Sequence, residues 1–281
     1  MLKNLFKNTL LTLFLSISSC TIVLGSEVRA PLPNSSCIKH TSIIDFESSD
    51  KQKLTQVCQE GYFVYFDSKN HLPKITFYNL TPNNAIGCFE RSNQFQENTY
   101  VIGSAEPSDY KNSGFDKGHL VPDGDQTYSL RTEEESFLMT NMAPQAPSFN
   151  RGIWKLLEAS IRSNIQMSQD QFIIITGSDY NDRDSQVSHK IRIPHAFYKI
   201  LVNLSKKEYW IWYIPHTKPY PTLGNDIMKF RVPLKYLETQ TKLKFKFSSE
   251  YREVLLDREL EVDFKGFNHV KHKACGINVK E

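Results

Sequence analysis

Aromatic and β-branched residues recur along this chain in short runs divided by polar breaks. Tyr62-Phe63-Val64-Tyr65-Phe66 and Lys74-Ile75-Thr76-Phe77-Tyr78 are two such runs, separated by Asp67 to Pro73, and they predict a hairpin with a longish loop. Phe172-Ile173-Ile174-Ile175, Ala196 to Leu204 and Tyr209 to Ile214 predict further strands, the last two turning back on each other through Ser205-Lys206-Lys207. From about Asn150 the period changes: Trp154, Leu157, Ile161 and Ile165 fall on one helical face, with Lys155, Glu158 and Arg162 as charged positions. Thr132-Glu133-Glu134-Glu135 has the form of a capping box and predicts a short helix starting there. Asn141 to Ser148 carries two prolines and predicts a loop, while Val254 to Leu260 leaves helix and strand both open. Lys242-Leu243-Lys244-Phe245-Lys246 predicts an edge strand with a solvated face rather than a phosphate track. Strands outnumber helices, so the expected class is α+β, a mainly antiparallel sheet with flanking helices.

The N-terminus follows a different pattern. Lys3 and Lys7 precede an apolar run from Leu10 to Leu24, too short for a comfortable membrane span. Residues 1–25 therefore read as a signal peptide cleaved after Gly25; Pro31 argues against cleavage after Ala30. Ile17-Ser18-Ser19-Cys20 also satisfies a loose lipobox, in which Cys20 would carry lipid; the apolar run continuing to Leu24 favours plain secretion. Both readings place the protein outside the cytoplasm, secreted or periplasmic. Residues 26–36 read as a linker and 37–281 as one domain, without repeats or low-complexity segments. Loss of Cys20 leaves Cys37, Cys58, Cys88 and Cys275, an even set that suggests two disulfides in an oxidising compartment. Three pairings are open, with Cys37–Cys58 and Cys88–Cys275 favoured.

The formal net charge of +3 over 281 residues falls close to neutral once Lys3 and Lys7 leave. Bulk charge does not announce a nucleic-acid binder, so the chemistry must be local. Asp116-Lys117-Gly118-His119, followed by Asn150, supplies it. Cleaving a phosphodiester needs a deprotonated water, neutralised phosphate charge and a stabilised leaving oxygen. Histidine takes a proton near neutral pH, Arg and Lys hold phosphate oxygens, and Mg²⁺ keeps most of its waters, so one Asn carbonyl suffices as a protein ligand. Taken singly, His119 reads as a satisfied polar residue, Asn150 as a helix cap and Arg91 as a surface ion-pair partner. Their order along one segment is what points to catalysis. Other constellations are weaker. His269, His272 and Cys275 have ligand-like spacing for zinc, but the single cysteine is read as disulfide-bonded; Thr176-Gly177-Ser178-Asp179 lacks the second glycine of a nucleophile elbow. His195 sits in an apparent strand and reads as structural.

Asp116-Lys117-Gly118-His119, Thr140-Asn141-Met142-Ala143-Pro144-Gln145, and Phe149-Asn150-Arg151-Gly152-Ile153-Trp154 with Leu157-Glu158 together resemble the non-specific DNA/RNA endonuclease family. Weaker echoes extend the resemblance over roughly residues 58 to 240. The resemblance implies a ββα-metal finger with His119 as general base, Asn150 as the direct ligand of Mg²⁺ (or Mn²⁺), and Glu158 holding a water of that cation. It implies Arg91 as the phosphate-stabilising arginine, and Asn141 and Gln145 as polar supports near substrate. Lys117 stands where arginine is usual, keeping the charge but losing the bidentate fork. On an ideal helix Asn150 and Glu158 lie about 12 Å apart along the axis, which excludes a shared cation shell unless the chain bends near Asn150. The implied substrate is DNA and RNA, cut to leave 5′-phosphate ends, by a monomer or a homodimer; a non-catalytic exported module binding nucleic acid or protein is the alternative.

Overall fold

The computed structural model describes residues 28–37, 43–217, 223–224 and 226–249. Among these described residues twelve strands are formed: β1 (Ile44–Glu47), β2 (Thr55–Cys58), β3 (Phe63–Asp67), β4 (Leu72–Leu80), β5 (Asp116–His119), β6 (Met142–Gln145), β7 (Phe172–Asp179), β8 (Gln186–Val187), β9 (Ile191–Arg192), β10 (Ala196–Asn203), β11 (Glu208–Pro215) and β12 (Lys244–Phe247). The helices are α1 (Pro82–Ile86), α2 (Leu130–Ser136), the single turn α3 (Pro147–Phe149), α4 (Lys155–Met167) and α5 (Leu234–Thr241). Six strands build the main sheet in the order β11-β10-β7-β4-β3-β2, every pairing antiparallel. The α+β expectation is met.

Both faces of this sheet are covered, which is why β7 and β10 are buried at every position. On β10, Phe197 and Leu201 face one core, with Trp154 and the Leu157, Ile161 and Ile165 stripe of α4. Tyr198, Ile200 and Val202 face the other core, with Phe46 of β1, Leu237 of α5 and Phe245 and Phe247 of β12. Burying each large α4 side chain contributes roughly 2 kcal/mol, enough to fix which face of that helix points away from the sheet. β12 alternates as expected, its lysines exposed and phenylalanines buried, and pairs with β1; Lys244 and Lys246 meet Glu238 and Glu47 rather than forming a phosphate track.

Three local expectations change. The Asn141–Ser148 stretch is not a loop: its centre is β6, pairing antiparallel with β5 in the register Lys117↔Pro144 and His119↔Met142. A proline survives there because a two-stranded ribbon leaves one side of each strand without a ladder to satisfy. Helix α2 begins before Thr132; Ser129 is its N-cap, accepting from Thr132 N at 3.1 Å, while the Thr132 hydroxyl donates to Gln126 O at 2.5 Å. Asn150 is not a helix N-cap either. It lies within helical backbone (φ −59°, ψ −49°), at the start of a widened turn, Asn150–Trp154, that kinks at Gly152 before α4.

Cys37 and Cys58 form a disulfide with Cα atoms 5.8 Å apart. Cys88 is disulfide-bonded too, and the Cys275 assigned to it lies outside the described residues. So do the 1–25 signal segment, Cys20, Val254 to Leu260, and the His269, His272 and Cys275 set. No helix among the described residues is long and apolar enough to cross a membrane.

Candidate active site

β5 and β6 form a ribbon whose far end leads through α3 into the kinked turn and α4, a ββα unit laid on the sheet. Gly118 lets this ribbon close. A Cβ there would collide with the side chain of Gln145. Trp154 pins helix to ribbon by donating its Nε1–H to His119 O at 3.3 Å.

Two adjoining cavities open along this unit, of about 460 and 590 Å³. Arg91, Lys117, Asn150 and Arg151 line both; His119, Asp123, Lys155, Glu158 and Arg162 line the smaller. Asn150 and Glu158, on either side of the kink at Gly152, both lie on the wall of the smaller cavity, and Glu158 can serve there through a water without sharing a cation shell with Asn150.

Asn150 is held from the side. Its Nδ2 donates to Asp116 Oδ2 at 3.0 Å, and Arg151 grips the same carboxylate through Nε at 2.9 Å and Nη2 at 2.7 Å. Burial raises the Asp116 pKa, but these hydrogen bonds outweigh it and keep the carboxyl below its ordinary value. With the amide NH₂ occupied, Oδ1 is left as the acceptor end.

His119 is only 8% exposed, packed edge-on against Phe137 at 5.0 Å and tilted to Phe95 at 5.7 Å. Its Nε2 is buried without a hydrogen-bond partner. Burial pushes its pKa down to about 4, Asp123 pulling upward and Arg91 pushing further down, so the ring is neutral at pH 7. The same aromatic pair seats the cations: the Arg91 guanidinium lies over Phe137 at 4.9 Å and the Lys117 ammonium over Phe95 at 4.6 Å. Arg91 also pairs with Asp123, and its own segment is fixed where Ser92 N donates to Glu133 at 2.8 Å.

Glu158 Oε1 is likewise buried and unpartnered. Burial pushes the Glu158 carboxyl up to about 7 against the pull of Lys199 and Arg162. Lys199, 1% exposed, rises from β10 beneath the site, donating to Thr176 Oγ1 at 2.7 Å and Leu120 O at 3.4 Å, over the Trp154 ring at 4.9 Å. Arg162 donates to Asp125 at 2.6 Å, whose other oxygen accepts from Tyr78 OH at 2.8 Å.

Among the described residues no three His, Cys, Asp or Glu side chains cluster as a cage. The donors present suit a different kind of ion: one free amide oxygen and an orphaned buried carboxylate oxygen on a polar cavity wall, matching a hard cation that keeps most of its water.

His119, Asn150, Glu158, Arg91 and Lys117 thus come together on one cavity. Asn141 and Gln145 do not reach it. Asn141 spends its amide on Val121 N and O and Ser136 O at 2.9–3.0 Å, clamping the loop after His119; Gln145 is wholly buried beside Gly118. Both are buried behind the ribbon and off the cavity walls, placed to support the site rather than to touch a substrate in the cavity. His195 lies on neither cavity wall; it bridges Asp184 at 2.7 Å and Asp179 at 3.4 Å, as a structural residue would. Sequence reasoning assigned no role to Asp116, Arg151, Lys155 and Arg162. One signal was present: Arg151, Lys155, Glu158 and Arg162 follow at steps of four, three and four, a polar stripe opposite the apolar one.

The chain is similar to known nucleases. The chain is 29% identical over 171 residues to a nuclease of Nostoc sp., covering 57% of this chain and 62% of that protein, so it spans less than two thirds of that relative. It is 23% identical over 206 residues to human mitochondrial endonuclease G, covering 66% and 68%. A chain in the crystal structure of the EndoG/EndoGI complex shares the fold with a TM-score of 0.58 at 24% identity, covering 67% of this chain and 84% of that one. The family model for DNA/RNA non-specific endonuclease matches residues 40–251, and the chain belongs to that family.

Proposed function

We propose that this protein is an exported, Mg²⁺-dependent endonuclease that hydrolyses phosphodiester bonds of DNA and RNA and leaves 5′-phosphate ends. The observation that carries this reading is the convergence of a neutral, unpartnered His119, the free end of Asn150 and the orphaned Glu158 oxygen on one cation-lined cavity. Family membership supports nucleic acid as the substrate. The N-terminal pattern of Lys3, Lys7 and the run to Leu24, with the Cys37–Cys58 bridge, supports export.

In this mechanism Arg91 and Lys117 hold the phosphate from the cavity wall, their heads braced on Phe137 and Phe95. His119 accepts a proton from the attacking water, and Phe95 and Phe137 keep its ring in place for in-line approach. Glu158 accepts a hydrogen bond from water in the cavity, and Asn150 offers the oxygen ligand. Mg²⁺, when bound, supplies charge neutralisation at the phosphate and stabilises the departing oxygen; Mn²⁺ offers the same. Nothing here uses a 2′-hydroxyl, so DNA and RNA are both substrates.

The test is degradation of plasmid DNA and of RNA in Mg²⁺ with and without EDTA, with end analysis of the products. Cleavage of both substrates, abolished by chelation, is expected. Binding without cleavage in Mg²⁺ and Mn²⁺ would instead identify a non-catalytic module.

A further inference from the structure

Resting on the reading of Asn150 as a cation ligand, we infer that His216 is a positioning residue that sets the Asn150 limb through Ala146.

His216 follows the last residue of β11 and is 2% exposed. Its two ring nitrogens face opposite demands. Nδ1 lies 2.7 Å from Pro194 O, which only accepts, so Nδ1 carries the proton. Ala146 N lies 2.8 Å from Nε2 and only donates, so Nε2 presents its lone pair. One neutral tautomer satisfies both; an imidazolium satisfies only the first. Burial acts in the same direction, bringing this ring down to about 4.

Ala146 is the residue where β6 gives way to α3. Its carbonyl accepts from Phe149 N and Asn150 N, each at 2.9 Å, so the residue that His216 holds by its N–H is the one whose C=O starts the turn ending at Asn150. The imidazole also packs edge-on against Phe149 at 4.9 Å, and Phe149 stacks on Trp154 at 5.5 Å. Asn150 is therefore held twice: its side chain by Asp116, and its backbone N–H by Ala146 O, whose own N–H is held by His216. His216 lines neither cavity; beside the Asn150 limb its ring meets Phe115, on the wall of the larger cavity, at 6.3 Å between centroids. A ligand displaced by about 1 Å costs as much as a hundredfold in function, which gives a remote hydrogen bond its leverage.

The experiment measures Mn²⁺ affinity of the metal-free full chain by electron paramagnetic resonance, with thermal unfolding and steady-state kinetics on plasmid DNA. His216→Phe keeps ring volume and loses both hydrogen bonds; His216→Gln keeps a donor and an acceptor. Expected is a Kd raised about tenfold in His216→Phe, partly recovered in His216→Gln, with KM for DNA at saturating Mg²⁺ within twofold of wild type. A wild-type Kd in a folded His216→Phe overturns the inference. If that variant does not fold, the ¹⁵N spectrum of wild-type imidazoles and the Kd of His216→Gln decide. A neutral Nδ1–H tautomer at pH 7 with weakened Mn²⁺ binding supports the inference; any other tautomer, or unchanged binding, overturns it. Asn150→Ala runs alongside, and unchanged affinity there marks failure of the cation seat itself rather than of His216.

Discussion

The Asn150 side chain donates to Asp116 Oδ2 at 3.0 Å, across the ribbon that also carries His119. A carboxylate only accepts, so this contact settles which end of the amide faces the cavity. Replacing Asp116 with Asn frees the amide to flip and loosens Arg151. Mn²⁺ affinity in Asp116→Asn should fall roughly 10- to 100-fold, the usual cost of losing a ligand's orienting partner. Calorimetric titration checks this, and wild-type affinity would remove Asp116 from the account.

Glu158 should make cation binding depend on pH. Its carboxyl is pushed up to about 7, and a cation in the shared cavity favours the ionised form. Mn²⁺ Kd should therefore tighten between pH 6 and pH 8, by at most about tenfold. In Glu158→Gln the dependence should flatten. A steep dependence persisting in that variant would assign it to another group.

Gly118→Ala should destabilise the ribbon by about 1 to 3 kcal/mol, the cost of overpacking a filled site, because the new methyl meets Gln145. Gln145→Ala in the same chain should recover part of the loss. Denaturant unfolding of the four members of this cycle gives the coupling; strict additivity would contradict the contact.

Lys117→Ala should weaken binding of DNA and RNA alike and reduce the salt slope by about one, as loss of a single phosphate contact does. Lys117→Arg should restore affinity and add directionality. Titrations at several salt concentrations read this, and an effect confined to one nucleic acid would point to a base or sugar contact instead.

Stability should fall on the acid side of neutrality. His119 and His216 each have a folded pKa near 4 against about 6.5 unfolded, so the unfolded chain binds more protons between these values. Their contribution is complete above pH 6.5 and fades toward pH 4, each on the order of 3 kcal/mol. His195, raised to about 9 chiefly by its Asp179 hydrogen bond, has the opposite sign: its contribution is present below 6.5 and lost as pH passes 9. Urea unfolding at pH 4.5, 7 and 9.5 should find the highest stability at 7.

Runs such as Phe172 to Ile175 and the Trp154, Leu157, Ile161 and Ile165 stripe were legible because burial on one face imposes a period on the sequence. β6 was hidden by Pro144 and Pro147, which read as breakers although a two-stranded ribbon tolerates them. The kink at Gly152 was not legible, because the polar and apolar periods on either side of it continue as they would along a straight helix. Lys199 gave no local signal: a lysine in a strand reads as solvent-facing until both sheet faces prove covered. His216 and Asp116 act through partners far along the chain, Ala146 and Asn150, and such pairs appear only once the chain is folded.

The central claim is that His119 deprotonates the attacking water. Its most direct test is the initial rate of supercoiled plasmid cleavage in saturating Mg²⁺ by wild type and by His119→Ala, with Mn²⁺ affinity measured on both. The account predicts a rate lowered about 10²- to 10⁴-fold with cation affinity within a few-fold of wild type. A wild-type rate in His119→Ala would contradict it.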